Sequence, residues 1–240
     1  MITLYQYEIS PYADKVRRVL HVKGLEYRVV EIRPSKRKQA RAISPTGKFP
    51  AIDTPEGERV IDSTDIFHWA ERYRPDPSLL PDAAADRARA HILEDWADES
   101  LYFYDLTLRS HWPHNWPLLN EDILRYETGF TRWLLFRLQA IPKALDRVAK
   151  GQGIGRKDDE TLKRETASHF DAISALVADG GWLVGAQMTI ADLAVFAMVY
   201  VIRRAREGEA LYQDRAALQD WFDRVDRATA GPSNVQRSLL

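Results

Sequence analysis

The chain has 240 residues, of which 45% are hydrophobic and 29% are charged, and its formal net charge is −1. These proportions are typical of folded globular proteins, and they exclude a disordered or collagen-like chain. The absence of cysteine excludes disulfide scaffolds, zinc–thiolate sites, iron–sulfur clusters and thiol nucleophiles supplied by the protein itself. The near-balance of basic and acidic residues argues against nucleic acid as the main partner.

The longest uninterrupted apolar run covers residues 193–202, ten residues, whereas a span of the bilayer needs about 20. The first residues carry neither a basic leader nor a small-residue cleavage pattern. His111 and His114 lack the partner residues of a metal motif. We therefore expect a cytoplasmic protein with no membrane partner and no metal.

The first 75 residues alternate short strand-like and helix-like segments. The pattern predicts strands over 2–7, 27–33, 50–54 and 59–61, and helices over 12–23 and 63–73, with a basic helical stretch over 33–41. The first strand, helix and strand form a βαβ unit, whose right-handed crossover makes the two strands parallel. This order predicts an α/β domain.

The pattern of predicted elements changes near residue 75. Three prolines within residues 74–81 indicate a linker. Everything beyond is helical in pattern, with predicted helices over 82–111, 118–150, 158–178, 190–206 and 214–228. We therefore predict an α/β domain over 1–75, a linker over 76–84 and an all-helical domain over 85–240.

A serine followed by a proline stands where the first strand gives way to the first helix. Serine is a favoured N-cap and proline a favoured first helical residue, so Ser10 and Pro11 fit a purely structural role. The same position also has a functional interpretation, because a hydroxyl at the positive end of a helix dipole can hold a thiolate or another anion. Sequence alone leaves both interpretations open.

Two further signals stand at element boundaries. Pro50 begins a strand although proline cannot donate to a sheet, which fits either an edge strand or a cis bond. If the bond is cis, the N–H and carbonyl of Phe49 turn outward and can pair with an extended peptide ligand. Ser63 is either a plain N-cap or, with the following amides, a binder of a ligand carboxylate, with Asp62 or Asp65 meeting an ammonium group.

Thr189 and Asp192 have the spacing of a capping box at the start of a wholly apolar helix. A helix that is apolar all round is buried. We assign these two residues a structural role.

These signals, in this order and with a proline-rich linker between the two halves, resemble the cytosolic glutathione S-transferase superfamily. The resemblance covers nearly the whole chain and implies a thioredoxin-like α/β domain followed by an all-helical domain. The Ser-Pro-Tyr string of residues 10–12 is most similar to the tau and omega branches, with serine where omega members have cysteine.

The resemblance implies that glutathione is the co-substrate. Ser10 is then the catalytic residue that faces the glutathione sulfur, and Phe49, beside a cis Pro50, pairs through its main chain with the cysteinyl unit. Asp62 and Ser63 hold the γ-glutamyl end. The remaining glutathione-binding candidates are Lys48, which reaches a ligand carboxylate, and Tyr12.

The activity implied by the resemblance is attack of the glutathione thiolate on a small hydrophobic electrophile, a detoxification reaction, by a homodimer. The electrophile is expected between the two domains, at the side chains of Tyr12, Tyr104, Leu108 and Trp112. The alternative is a non-catalytic binding or scaffold protein of the same fold. Asp65 favours this alternative, because its carboxylate would repel that of the γ-glutamyl group.

Overall fold

The computed structural model describes residues 1–231 and 235–240. These residues form two compact units. The first unit consists of residues 1–78, 123–133 and 228–240, and the second consists of residues 79–122 and 134–227. The chain therefore leaves the first unit and returns to it twice. The domain boundaries given above follow chain order and stay a prediction.

A five-stranded mixed sheet forms the centre of the first unit, in the order β4-β3-β1-β2-β5. β1 and β2 are parallel, with Ile2 opposite Tyr27, as the βαβ pattern predicts, while β3 is antiparallel to both β1 and β4. The bounds of the strands are β1 Ile2–Gln6, β2 Tyr27–Glu31, β3 Ala51–Asp53, β4 Arg59–Ile61 and β5 Arg237–Leu239.

Three α-helices accompany this sheet: α1 (Pro11–Val22), α2 (Arg37–Ile43) and α3 (Ser63–Tyr73). The apolar residues of α1 and α3 are buried in the core together with those of β1 and β3. α1 ends where Gly24 takes φ +60°, a conformation that glycine adopts without strain. The thioredoxin-like α/β architecture of this unit is confirmed.

β5 was not expected from the sequence. It pairs in parallel with β2, and beyond it the N–H of Leu240 donates to the carbonyl of Glu31 at 3.0 Å, while Arg33 Nε donates to the carbonyl of Leu240 at 2.8 Å. Residues 237–239 are exposed and contain no β-branched or aromatic residue. They pair with β2 through backbone hydrogen bonds. Such a strand has no hydrophobic alternation, so a sequence pattern cannot detect it.

Between residues 84 and 229 the regular structure is helical, which confirms the all-α half of the predicted fold class. The helices are α4 (Ala84–Trp96), α5 (Tyr102–His111), α6 (Trp116–Ile123), α7 (Gly129–Leu138), α8 (Ala140–Gln152), α9 (Asp159–Leu176), α10 (Ile190–Ile202), α11 (Arg206–Gln213) and α12 (Ala216–Thr229). Within the ranges that the structure describes, no helix combines the length and the apolar character that a membrane span requires.

Several helix bounds differ from the predicted ones. The predicted helix over 82–111 is α4 and α5 joined by a π-helical turn, Ala97–Leu101. The predicted helix over 118–150 is three helices, because Gly129 and Gln139 take positive φ values of 56° and 52° and interrupt the helical path. α11 was not predicted; only its first residue, Arg206, falls within a predicted helix, the one over 190–206.

α10 is the buried helix of the second unit. Thr189 and Asp192 form a capping box at its start, where the Asp192 carboxylate accepts hydrogen bonds from Thr189 N–H at 2.8 Å, Leu183 N–H at 3.0 Å and Trp221 Nε1 at 2.9 Å. Burial raises the pKa of the Asp192 carboxyl even though these donors favour its ionised form. Asp192 therefore joins three segments of the second unit in one polar centre.

Candidate functional site at one edge of the sheet

Strand register brings three of the sequence signals to one edge of the first unit's sheet. Ala51, the first residue of β3, lies opposite Tyr5 of β1 on one side and opposite Ile61 of β4 on the other. β1 and β4 both end toward the edge where β3 begins. The residues that follow β1, precede β3 and follow β4 are therefore neighbours, and they include Ser10, the Phe49–Pro50 pair and Ser63.

Ser10 occupies the N-cap position of α1, yet its side chain makes no capping hydrogen bond. Its N–H donates to the carbonyl of Tyr7, and its carbonyl accepts from the N–H of Asp14, both at 3.0 Å. Its hydroxyl forms no hydrogen bond with any other residue that the structure describes. The Ser10 side chain therefore does not cap α1, although the residue is half-buried at the positive end of the helix dipole.

The loop that carries Ser10 is held by a network around Glu8. The Glu8 carboxylate accepts hydrogen bonds from Arg125 at 2.7 Å, Arg237 at 3.0 Å and the hydroxyl of Tyr126 at 3.1 Å. Partial burial would raise the pKa of this carboxyl, but Arg237 and Arg125 outweigh that effect and hold it below its ordinary value. The two segments that return to the first unit therefore supply the groups that fix the loop.

Phe49 precedes β3, and its peptide bond with Pro50 is cis. The Phe49 ring is buried against the edge of the Tyr7 ring, with centroids 5.6 Å apart. Its backbone N–H and carbonyl form no hydrogen bond with the described part of the chain. Next to it, the Lys48 ammonium is exposed and has no ion-pair partner within that same part.

The start of α3 differs from the structural interpretation of Ser63. The N-cap is Asp62, whose carboxylate accepts from the N–H of Thr64 at 2.9 Å, whereas Ser63 is the first helical residue. Asp62 takes φ +90°, a conformation that costs a non-glycine residue on the order of 1–3 kcal/mol. Because Asp62 provides the cap, the Ser63 hydroxyl forms no hydrogen bond to another residue with described coordinates, although Ser63 is only 4% exposed.

Lys15 is a residue that the sequence interpretation missed. It lies on the buried side of α1, 1% exposed, and its Nζ lies 3.5 Å from Thr64 Oγ1 at the start of α3. Its ammonium group therefore lies at the N-terminal end of α3. Its position among the apolar residues of an amphipathic helix was the available signal.

The residues predicted to contact an electrophile include three on or next to α5, in the second unit. The Tyr104 hydroxyl donates to Glu165 at 2.5 Å, and Lys157 pairs with the same carboxylate. Leu108 is fully buried, and Trp112 Nε1 donates to Asp159 at 3.0 Å. Tyr12, the fourth, is the second residue of α1 and is half-buried.

A polar cluster next to Tyr104 was also missed. The ring of His169 meets the ring of Tyr104 edge-on, with centroids 4.7 Å apart, and the buried Nε2 of His169 has no partner within the described ranges. Burial lowers the pKa of this imidazole, which keeps it neutral at pH 7. Across the described ranges, no group of three or more acidic or histidine side chains has an arrangement that fits a metal ion.

Comparison with known proteins agrees with this arrangement. Residues 4–78 match the family model of the glutathione S-transferase N-terminal domain, and residues 136–227 match that of the C-terminal domain. The isoprene-epoxide–glutathione S-transferase of Rhodococcus sp. is 24% identical over 237 residues, covering 94% of this chain and 98% of that protein. The FtsZ-localized protein A of Caulobacter vibrioides is 25% identical over 224 residues, covering 92% and 84%.

Among solved structures, a glutathione S-transferase from Rhodospirillum rubrum superposes with a TM-score of 0.67 at 22% identity. The match covers 98% of this chain and 96% of that chain. At this identity the likeness shows the fold.

Proposed function

The chain belongs to the glutathione S-transferase superfamily, and we propose that it is a glutathione-dependent transferase that activates the glutathione thiol at Ser10. The main support for this proposal is a set of polar groups at one edge of the first unit's sheet. Two serine hydroxyls and the backbone of one intervening residue, Phe49, are left without hydrogen-bond partners among the described residues, at the starts of α1, β3 and α3. Polar groups unpaired in this way are suited to bind a peptide ligand.

The proposed glutathione contacts are those that the family resemblance implies for these groups. Phe49 pairs through its backbone with the cysteinyl unit, and Ser63, with the positive start of α3, binds the γ-glutamyl carboxylate. Asp62 meets the γ-glutamyl ammonium group. The outer contacts are the Lys48 ammonium, with a ligand carboxylate, and Tyr12, next to Pro11 in the first turn of α1.

The chemistry that this site must supply is modest. A thiol with an ordinary pKa of about 8.5 is roughly 3% ionised at pH 7. The Ser10 hydroxyl donates a hydrogen bond to the sulfur anion, and the α1 dipole adds a favourable potential, so the ionised form is stabilised over the neutral one. The thiol proton leaves to solvent.

The ionised sulfur then attacks an electrophilic carbon. With an epoxide, a carbon–sulfur bond forms, the carbon–oxygen bond breaks, and the released alkoxide takes a proton from water. Holding both reactants supplies the remaining rate enhancement through proximity. The residues expected to contact the small hydrophobic electrophile stay a prediction; of these, Leu108 is fully buried and exposes no surface to a ligand in this structure.

The second candidate function is a binding or scaffold protein without catalysis. Asp65 favours it, because this exposed carboxylate lies in the first turn of α3, two residues after Ser63, and opposes a bound carboxylate. The similarity to a Caulobacter protein named for its localisation with FtsZ supports the same alternative.

The test of the transferase proposal is the loss of free thiol when the purified protein is mixed with glutathione and a small alkyl epoxide. We expect consumption above the uncatalysed rate, strongly reduced in Ser10→Ala. Binding of glutathione with no turnover of epoxides, aryl halides or activated alkenes would instead support the scaffold candidate.

We also propose a cytoplasmic homodimer, as the family resemblance implies. Sedimentation velocity at micromolar concentration checks the assembly. A species at twice the 27.6 kDa mass of one chain is expected, and the 27.6 kDa monomer alone would contradict the dimer.

A further inference from the structure

α7 presents an apolar surface to solvent. None of its ten residues is buried, and its large hydrophobic side chains are exposed to an unusual degree: Phe130 by 72%, Trp133 by 55% and Leu138 by 54%. Leu134 and Phe136 are exposed as well. Large apolar side chains that cluster on a surface mark an interaction site rather than ordinary surface variation.

The shape of this surface restricts what can cover it. At about 100° per residue, the five exposed apolar positions of α7 spread over an arc of roughly 200°, with Arg137 inside the arc. A partner helix is matched by a narrow seam of residues spaced three and four apart. An apolar arc this wide is better covered by a lipid layer than by a single partner helix.

The segment that contains α7 and α8 is strongly positive. Residues 129–150 contain five basic residues and one acidic residue, a balance of +4, in a chain whose net charge is −1. The exposed guanidinium groups of Arg137 and Arg147 pair with no acidic group in the described ranges. Lys143 Nζ lies beside the end of α7, donating to the carbonyl of Leu138 at 3.0 Å.

These charges select among possible occupants. A second copy of the chain would bring two +4 segments together, and their repulsion would oppose pairing. An anionic lipid surface provides an apolar layer for the aromatic rings and phosphate groups for the basic side chains. Charge complementarity therefore favours the bilayer.

We propose that α7, together with basic residues of the helix that follows it in the chain, forms a peripheral binding surface for anionic membranes. The α7–α8 face is defined by the apolar residues Phe130, Trp133, Leu134, Phe136 and Leu138 of α7 and by the basic residues Arg137 of α7 and Lys143 and Arg147 of α8, of which Lys143 reaches the end of α7. The helix lies in the plane of the interface, so the lack of a membrane-spanning helix in the described ranges is compatible with it. This proposal replaces the expectation, drawn from hydropathy, that the protein has no membrane partner.

The test is co-sedimentation of the full chain with vesicles of phosphatidylglycerol and phosphatidylcholine, against vesicles of phosphatidylcholine alone. We expect binding to the anionic vesicles, weakening as salt is added. The double variant Trp133→Ser/Phe136→Ser should lower the apparent affinity by about tenfold or more. Arg137→Gln/Arg147→Gln should lower it by about thirtyfold, since each basic residue near an anionic surface contributes a factor of about five.

Matched controls separate this face from general stickiness. Ile92→Ser removes an equally exposed apolar side chain of α4, and Arg227→Gln removes an exposed cation at the end of α12. Both should bind vesicles as the wild type does. No binding to anionic vesicles, or binding that survives the double variants, would overturn the proposal. A dimer that dissociates in Trp133→Ser/Phe136→Ser would also overturn it and assign the face to a second copy.

Discussion

Replacing Ser10 with alanine separates a catalytic from a structural serine. A charge-assisted hydrogen bond to the sulfur anion stabilises it by about 1.5–3 kcal/mol. Losing that bond should raise the pKa of the bound thiol by about one to two units, since one unit corresponds to about 1.36 kcal/mol. At pH 7 the rate with an electrophile should fall about tenfold or more, and higher pH should recover much of the loss.

The structure also sets the expected effect of this substitution on stability. A Ser→Ala change at a capping serine costs about 1 kcal/mol, but the Ser10 hydroxyl makes no capping bond. The free energy of unfolding should therefore change by less than about 0.5 kcal/mol. The assay is the rate of thiol consumption as a function of pH, together with urea unfolding of the same samples.

Ser63→Ala is the matched control, because it removes the second serine hydroxyl that lacks a partner within the described ranges. Its proposed role is in binding, so it should raise the KM for glutathione and leave the pH profile in place. An unshifted profile in Ser10→Ala, with a loss of about 1 kcal/mol in stability, would refute the catalytic assignment. The amides at the start of α1 would then be the donors to the thiolate.

Three further predictions concern the rest of the molecule. Asp192→Ala should lower the free energy of unfolding by about 3 kcal/mol or more in urea titrations, because buried donors of Leu183, Thr189 and Trp221 lose their acceptor; a change below about 1 kcal/mol would contradict this. Asp105 is buried on α5, and burial raises the pKa of its carboxyl to about 6 from the ordinary 3.8. Between these two values the folded state binds more protons than the unfolded state, so the free energy of unfolding falls as pH rises; below and above that range it does not change through this group. Asp105→Asn should abolish that fall, which is on the order of 3 kcal/mol across pH 4–6. Parallel curves of unfolding free energy against pH for the variant and the wild type would contradict this prediction. Glu8→Gln should reduce the rate at saturating glutathione while affinity for glutathione stays nearly unchanged, if the Glu8 network positions the Ser10 loop; an unaltered rate would remove Glu8 from that role.

Local signals in the sequence were sufficient for the elements that position the site. Turn residues and apolar periodicity gave the bounds of β4 and α3 and placed α1 to within one residue of its ends. The same signals located Ser10, Phe49 and Ser63 at element boundaries. Whether their polar groups are used internally depends on φ, ψ and neighbouring acceptors, so the sequence left open whether Ser63 caps α3, and the structure shows that Asp62 does.

Interactions between distant segments could not be predicted in the same way. Glu8 is bound by Arg125 and Arg237, which are separated from it by 117 and 229 residues. A single charge on an exposed loop carries no pattern that identifies such a partner. The exposed face of α7 could not be predicted for a related reason. Apolar residues in a helical pattern usually indicate a buried face, and only the structure shows that the rings of α7 are exposed to solvent.

We propose that the first unit binds glutathione at the sheet edge between α1 and α3. Isothermal titration of the purified protein with glutathione tests it most directly. We expect saturable heat at millimolar or tighter affinity, retained in Ser10→Ala. Ser63→Ala should weaken the affinity about tenfold or more, because a hydrogen bond to a charged group contributes about 1.5–3 kcal/mol. Absence of heat at millimolar glutathione would contradict it.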